Sequence, residues 1–269
     1  MNEITPESPI GIFDSGLGGL TVLKSLTKIL PNESFIYLGD TAHVPYGNKS
    51  DDTIIRYSNK ILEFFLSKNT KAIVIACNTA SAIACNELRN NYNIPIFDVV
   101  TPSVEYSNKI SVTRHIGVIG TNSTINSKAY TREFENIKSD CSITEISCPL
   151  FVPIIEEDWS QTTIAKDIAC KYLQPFNKTK IDTLILGCTH YPIMSNIIQN
   201  VINNNIQLVF SGQTVGEKLF SYLEMSKNQN NQNKRDICFY LTDFPQKFDK
   251  IGSQFLGQKL STVKHIVLF

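Results

Sequence analysis

Ala72-Ile-Val-Ile-Ala-Cys77-Asn78-Thr79 and Thr183-Leu-Ile-Leu-Gly-Cys188-Thr189-His190 are two copies of one pattern, 111 residues apart. Each is a short apolar run that ends in cysteine and passes at once into small polar residues. Such a run reads as a strand buried in a parallel sheet, and the Asn-Thr or Thr-His behind it reads as the opening of a helix. Two such units put two thiols at the carboxyl ends of two strands, where open α/β sheets bind ligands. Ile10-Gly-Ile-Phe-Asp-Ser15 and Ile116-Gly-Val-Ile-Gly-Thr121 form a second matched pair, offset by 106 residues. The predicted fold is therefore α/β, with two similar lobes of mainly parallel sheet related by a pseudo-two-fold axis. The active site is expected in the cleft between them.

Outward from these runs, strands and helices alternate. Strands are predicted at 10–13, 35–38 and 94–100, and helices at 17–30, from Ser50 to about 68, and from the first cysteine to about 90. A second β/α series begins near Arg114, with Pro102 opening the crossing. The polar stretch Ser226 to Lys234 reads as a mobile loop, and 237–241 and 263–269 read as strands with a weaker helical stretch between.

The chain has 269 residues, enough for one large or two medium domains. Its 25 basic and 25 acidic residues cancel, which argues against a whole-surface nucleic-acid or anionic-membrane binder. Zero net charge also gives little protection against self-association. No apolar stretch is long enough to span a bilayer, and residues 1–9 lack the basic and apolar regions of a signal peptide. The seven cysteines contain no C-x-x-C pair, so neither a zinc ribbon nor a thioredoxin-type motif is indicated. The expectation is a cytoplasmic protein with reduced thiols and no metal.

Cys77 and Cys188 are the leading functional candidates. A thiol just before a helix N-terminus meets the positive end of the dipole, which favours thiolate. The remaining cysteines, Cys85, Cys141, Cys148, Cys170 and Cys238, are expected to be packing residues. Asp14-Ser-Gly-Leu-Gly-Gly19 invites a phosphate-loop reading, but Thr21 stands where the third glycine of G-x-G-x-x-G belongs, and no G-K-[ST] follows. Asp40-Thr-Ala-His43-Val-Pro45-Tyr46-Gly47 follows the second strand and should reach the same carboxyl edge; His43 by itself reads as solvent-facing or structural. His190, two residues after Cys188, is a plausible base or charge partner, and Glu156 is the one acid of Glu156-Glu157-Asp158 placed to point inward. No lysine or arginine lies in these motifs, and pyridoxal phosphate chemistry needs a Schiff-base lysine.

Asp14-Ser-Gly-Leu-Gly-Gly, Gly39-Asp-Thr-Ala-His-Val-Pro-Tyr-Gly47, Cys77-Asn-Thr-Ala and Gly187-Cys-Thr-His-Tyr-Pro192 together resemble the signatures of the glutamate racemases, within the aspartate/glutamate racemase superfamily. The likeness runs from about Ile10 to Thr214. It implies cofactor-independent interconversion of L- and D-glutamate, supplying D-glutamate for bacterial peptidoglycan. It also implies a homodimer, and lobes made of residues 1–100 plus 210–269 and of residues 101–209. By resemblance, Cys77 and Cys188 are the two proton donor/acceptors, Asp14 assists Cys77, and His190 with Glu156 assists Cys188. Asp40 joins the catalytic shell. Ser15, Tyr46, Gly47, Asn78, Thr79, Thr121 and Thr189, with Asp14 and His190, hold the substrate. One departure is Phe210, where the family often has an acidic residue; it bears on local packing or lobe closure. Aspartate, other amino-acid and hydantoin racemases share the thiol pair, and a non-catalytic amino-acid-binding protein would share the cleft.

Overall fold

A computed structural model describes residues 3–202, 204–232, 235–244, 248–260 and 262–268. Its first six-element run is Ile10–Asp14 (β1), Leu20–Ile29 (α1), Phe35–Gly39 (β2), Asp51–Ser67 (α2), Ala72–Ile75 (β3) and Asn78–Asn91 (α3). Ile96–Asp98 (β4) and Val100–Ile110 (α4) lead to the second series: His115–Gly120 (β5), Asn122–Asn126 (α5), Ala129–Asn136 (α6), Ser142–Ser147 (β6), Phe151–Glu156 (α7) and Thr163–Leu173 (α8). Thr183–Gly187 (β7), Ser195–Val201 (α9), Gln207–Phe210 (β8) and Ser211–Met225 (α10) complete it. Ile237–Leu241 (β9), Phe248–Leu256 (α11) and Val263–His265 (β10) follow.

The strands form two sheets, ordered β10-β9-β2-β1-β3-β4 and β6-β5-β7-β8, with every strand pair parallel. The order β4-β3-β1-β2 in the first matches β8-β7-β5-β6 in the second, so the repeat seen in the sequence is a repeat of topology. The two-sheet α/β architecture is as expected. The sheets differ at one rim, because β9 and β10 extend the first beyond β2 while β6 ends the second.

Burial explains the strand composition. All five residues of β1, β2 and β7 and all four of β3 are buried, as helix-covered parallel strands require. Helix α2 buries Ile54, Ser58, Ile61, Leu62 and Phe65, spaced three and four apart along one stripe. Several local expectations are corrected. Helix α1 begins at Leu20 rather than Leu17, because Ser15 to Gly19 form a loop. A Cβ on Gly18 would strike Thr189 Oγ1 and His190 Nδ1, so the loop lies directly on the second cysteine segment. Ser50 precedes α2 but its hydroxyl bonds Thr53 Oγ1 at 3.0 Å instead of a backbone N–H. The strand expected at 94–100 shortens to β4, because Asp98 Oδ1 takes the N–H groups of Val100 and Thr101 at 2.7 and 2.8 Å and starts α4.

The segment 226–234, expected to be mobile, is tied down where it is described; Asn233 and Lys234 lie outside the described residues. Lys71, fully buried, pairs with Glu33 at 2.6 Å and donates to Pro6 O and Asn228 O at 2.5 and 2.8 Å. Asn230 N–H returns to Glu33 Oε1 at 2.9 Å. The last predicted strand shortens to β10, and its expected final residue, Phe269, is likewise outside the described residues.

Candidate active site

The loops at the carboxyl ends of β1, β2, β3, β5, β6 and β7 converge on one cavity of about 270 Å³. That is near the lower end of the range for small-molecule sites. Ser15, Gly16 and the 44–48 loop line it from one side, with Cys77, Asn78 and Thr79. Thr121, Asn122, Pro149, Val152, Pro153, Glu156, Cys188, Thr189 and His190 line it from the other. No lysine or arginine is among these residues.

Cys77 is the N-cap residue of α3, and its Sγ accepts Ala80 N–H at 3.5 Å and lies 3.6 Å from Ser15 Oγ. The helix end does not make it a thiolate. Burial first, and the neighbouring Asp14 carboxylate second, push the thiol up to about 12, outweighing the Ala80 and Ser15 bonds. This reverses the expectation drawn from the dipole alone. Asp14 does not line the cavity. It is fully buried, accepts Gly16 N–H at 2.9 Å and the Thr189 hydroxyl at 3.3 Å, and burial holds its carboxyl above the ordinary value.

Cys188 follows β7, but the Thr-His behind it does not open an α-helix as expected. Pro192 sits in a short 3-10 turn, Tyr191–Met194, and α9 starts only at Ser195. A histidine does the work instead. His190 Nδ1 lies 3.9 Å from Cys188 Sγ, and Nε2 lies 3.1 Å from Glu156 Oε1. Burial opposes its charge, but the bonds to Cys188 and Glu156 prevail and raise the imidazole to about 10. At neutral pH it is an imidazolium donating to both. Phe255 from α11 closes over it, with ring centroids 5.4 Å apart at 88°.

At the cavity wall, three hydroxyls form a closed triangle: Thr79 to Thr121 at 3.1 Å, Thr79 to Thr124 at 3.1 Å and Thr121 to Thr124 at 2.9 Å. Asn78 Nδ2 donates to Tyr130 OH at 2.9 Å and Ser211 Oγ at 3.4 Å. Sequence reasoning missed Thr124 and Tyr130; the first follows the capping threonine by three residues, the only signal it offered. Asp40 is also behind the wall rather than on it, accepting Tyr46 OH at 2.7 Å. His43, as read, is structural, with Nδ1 2.8 Å from Asp40 Oδ1. Phe210 ends β8 and packs against the core, while Ser211 next to it bonds Leu186 O at 3.3 Å. Of the five cysteines expected to pack, Cys85 and Cys148 are buried, Cys141 and Cys238 are half-buried, and Cys170 is exposed on α8. Among the described residues no helix is long and apolar enough to cross a membrane.

A model of the Asp/Glu/Hydantoin racemase family matches residues 10–216. A glutamate racemase of Geobacter metallireducens is 40% identical over 98% of both chains. The crystal structure of glutamate racemase from Francisella tularensis in complex with D-glutamate superposes with a TM-score of 0.92 at 38% identity, covering 98% of each chain. A glutamate racemase isoform from Bacillus anthracis superposes at 0.94 with 31% identity, again over 98% of each.

Proposed function

We infer the reaction from one premise: the chain belongs to the Asp/Glu/hydantoin racemase family, and its activity is that of a glutamate racemase, an isomerase. The substrate is L- or D-glutamate, and Cys77 and Cys188 are the two acid–base groups. The lobes that carry them are residues 1–100 plus 210–269 and residues 101–209. The product D-glutamate supplies bacterial peptidoglycan from the cytoplasm, and the working form is a homodimer.

The observation that carries the two-thiol reading is that Cys77 and Cys188 close equivalent strands, β3 and β7, and line the same small cavity. Inverting Cα requires a proton to leave one face and another to arrive at the opposite face. One sulfur, as thiolate, takes the Cα proton; the other, as thiol, delivers its own to the far face. The enzyme is left with the two roles exchanged, ready for the reverse reaction or for resetting by solvent protons. Burial and Asp14 favour the thiol at Cys77, so Cys77 is suited to deliver a proton, and His190 stands beside Cys188 as its proton partner. Cysteine suits both roles because its reference pKa of about 8.5 is near neutrality.

Charge that develops on the substrate meets neutral donors: the Thr79 and Thr121 hydroxyls, the Ser15 hydroxyl and the N–H groups that open α3. Asp14 and Asp40 act through the loops in front of them rather than by touching substrate. Cys77→Ala and Cys188→Ala should each lower racemisation by several orders of magnitude with the fold intact, measured by circular dichroism with L- and D-glutamate and no added cofactor. In heavy water, deuterium should enter Cα of the product before that of the substrate. Near wild-type turnover in either variant sinks the two-thiol reading, and equal early labelling of both enantiomers points to a single shared proton site. Turnover of L-aspartate in preference to L-glutamate would move the substrate assignment elsewhere in the family.

A further inference from the structure

The loop that brings Tyr46 and Gly47 to the cavity is held from behind by chain some 200 residues away. Strand β9 pairs with β2 from Phe35–Ile237 to Gly39–Leu241. The pairing continues past both strands, with Thr242 N–H donating to Gly39 O at 3.2 Å. Side chains then take over. Thr242 Oγ1 accepts Ala42 N–H at 2.9 Å and donates to Asp40 Oδ1 at 2.8 Å. Thr41 and Asp243 exchange a reciprocal pair: Thr41 Oγ1 donates to Asp243 O at 2.5 Å and accepts Asp243 N–H at 2.9 Å. Asp40 is wholly buried, and its other oxygen takes the Tyr46 hydroxyl at 2.7 Å. One hydroxyl thus joins the C-terminal strand to the start of the loop and to the carboxylate that aims Tyr46.

We propose that Thr242 is a positioning residue for the substrate. It holds the 41–48 loop closed against the cavity through Asp40 and Ala42, so that residues beyond those matched by the family model set how tightly glutamate is held. The proposal rests on the cavity being the glutamate site. A buried hydroxyl that both accepts and donates cannot be replaced by a methyl without removing the acceptor of the Ala42 N–H and one of the two partners of Asp40 Oδ1, which keeps His43 Nδ1. Closure of a loop over bound substrate acts on ground state and transition state alike, so its loss appears in KM rather than kcat.

Thr242→Val should raise KM for both enantiomers about fivefold to tenfold with kcat within about twofold, and Thr242→Ser should restore KM. Phe239→Leu, on the same strand but packed in the core, should lower stability without moving KM. An unchanged KM in folded Thr242→Val, or an equal rise in Phe239→Leu, overturns the proposal. Hydrogen exchange on the wild-type protein needs no variant: the Ala42 amide should exchange as slowly as those of β2, and fast exchange is equally fatal. Cys77→Ala run in parallel separates the two readings. If it is inactive while Thr242→Val keeps a normal KM, only the positioning role falls; if it keeps turnover, the two-thiol reading falls whatever Thr242 does.

Discussion

Cys77 and Cys188 close equivalent strands of two sheets with the same core order, yet their surroundings are opposite in sign. At Cys77 burial, and then the Asp14 carboxylate behind it, hold the proton on sulfur. His190 lies against Cys188, and against the pull of burial its bonds to Cys188 and then Glu156 raise the imidazole to about 10. A second contrast sits at the far ends of the same strands. Lys71 immediately precedes β3 and Asp182 immediately precedes β7, again 111 residues apart. Lys71 captures a carbonyl of the segment that enters β1, that of Pro6. Asp182 captures the Val112 and Thr113 N–H groups, both at 2.7 Å, and the Ser111 hydroxyl, also at 2.7 Å, in the segment that enters β5. The two halves solve the same backbone problem with opposite charges. The repeat keeps its strand order while the charges around it differ, and the proposed two-thiol reaction would draw on that difference.

The largest test of this contrast is His190→Asn, which removes the charge on one side only. It should lower kcat by about 10²- to 10⁴-fold, the range for a lost acid–base partner, and leave Cys77 unaltered. The linkage has a definite sign. The folded pKa is raised to about 10 from the ordinary imidazole value of 6.5. The stabilisation it brings is therefore fully present below 6.5 and is lost as pH rises toward 10. The stability gap between wild type and His190→Asn, followed by urea unfolding across that window, should narrow; a gap that widens breaks the contrast. Next in size is thiol reactivity. At pH 7 iodoacetamide should label Cys77 more than about a hundredfold more slowly than a free thiol, because only thiolate reacts and burial and Asp14 hold the proton on its sulfur. Labelling of Cys77 at the rate of a free thiol would break the contrast.

The anchors give the smaller effects. Lys71→Ala leaves Glu33 buried without its partner and should cost about 3–5 kcal/mol of stability. Asp182→Asn should cost about 1 kcal/mol, because Asp182 is more exposed and solvent screens it. Burial works to raise the Asp182 pKa, but its donors prevail and hold it at about 2. Its contribution is accordingly present above about pH 4 and lost as pH falls toward 2. A cost for Asp182→Asn matching that of Lys71→Ala would show that charge sign makes no difference to the anchoring.

Much of this was legible in the sequence because the signal was local. The apolar runs before Cys77 and Cys188, the 106- and 111-residue offsets and the Asp-Ser-Gly-Leu-Gly-Gly turn each lie within a few residues, and the strands and cleft follow from them. Three features were not legible, each for a physical reason. The Cys77 proton depends on burial and on Asp14, which no helix-end rule includes. The short turn after Cys188 depends on Pro192 delaying the helix, where the sequence suggested that it would start one. The role of Asp40 depends on Thr242, whose nearness is created only by β9 docking beside β2. Resemblance put Asp14 and Asp40 near the chemistry; only packing shows that they stand one layer back.

The extra rim of the first sheet also sets an order of assembly. Every strand pairing in the second sheet closes within residues 115–210, so that sheet can be complete before the end of the chain has been synthesised. The first sheet must wait for Ile237 to find Phe35, and such distant pairings form slowly because a long loop has to be closed first. The sheet that leads to Cys188 is then ready early, and the loop over the cavity is fastened last. A ribosome-bound chain truncated before β9 would hold a formed second sheet and no activity.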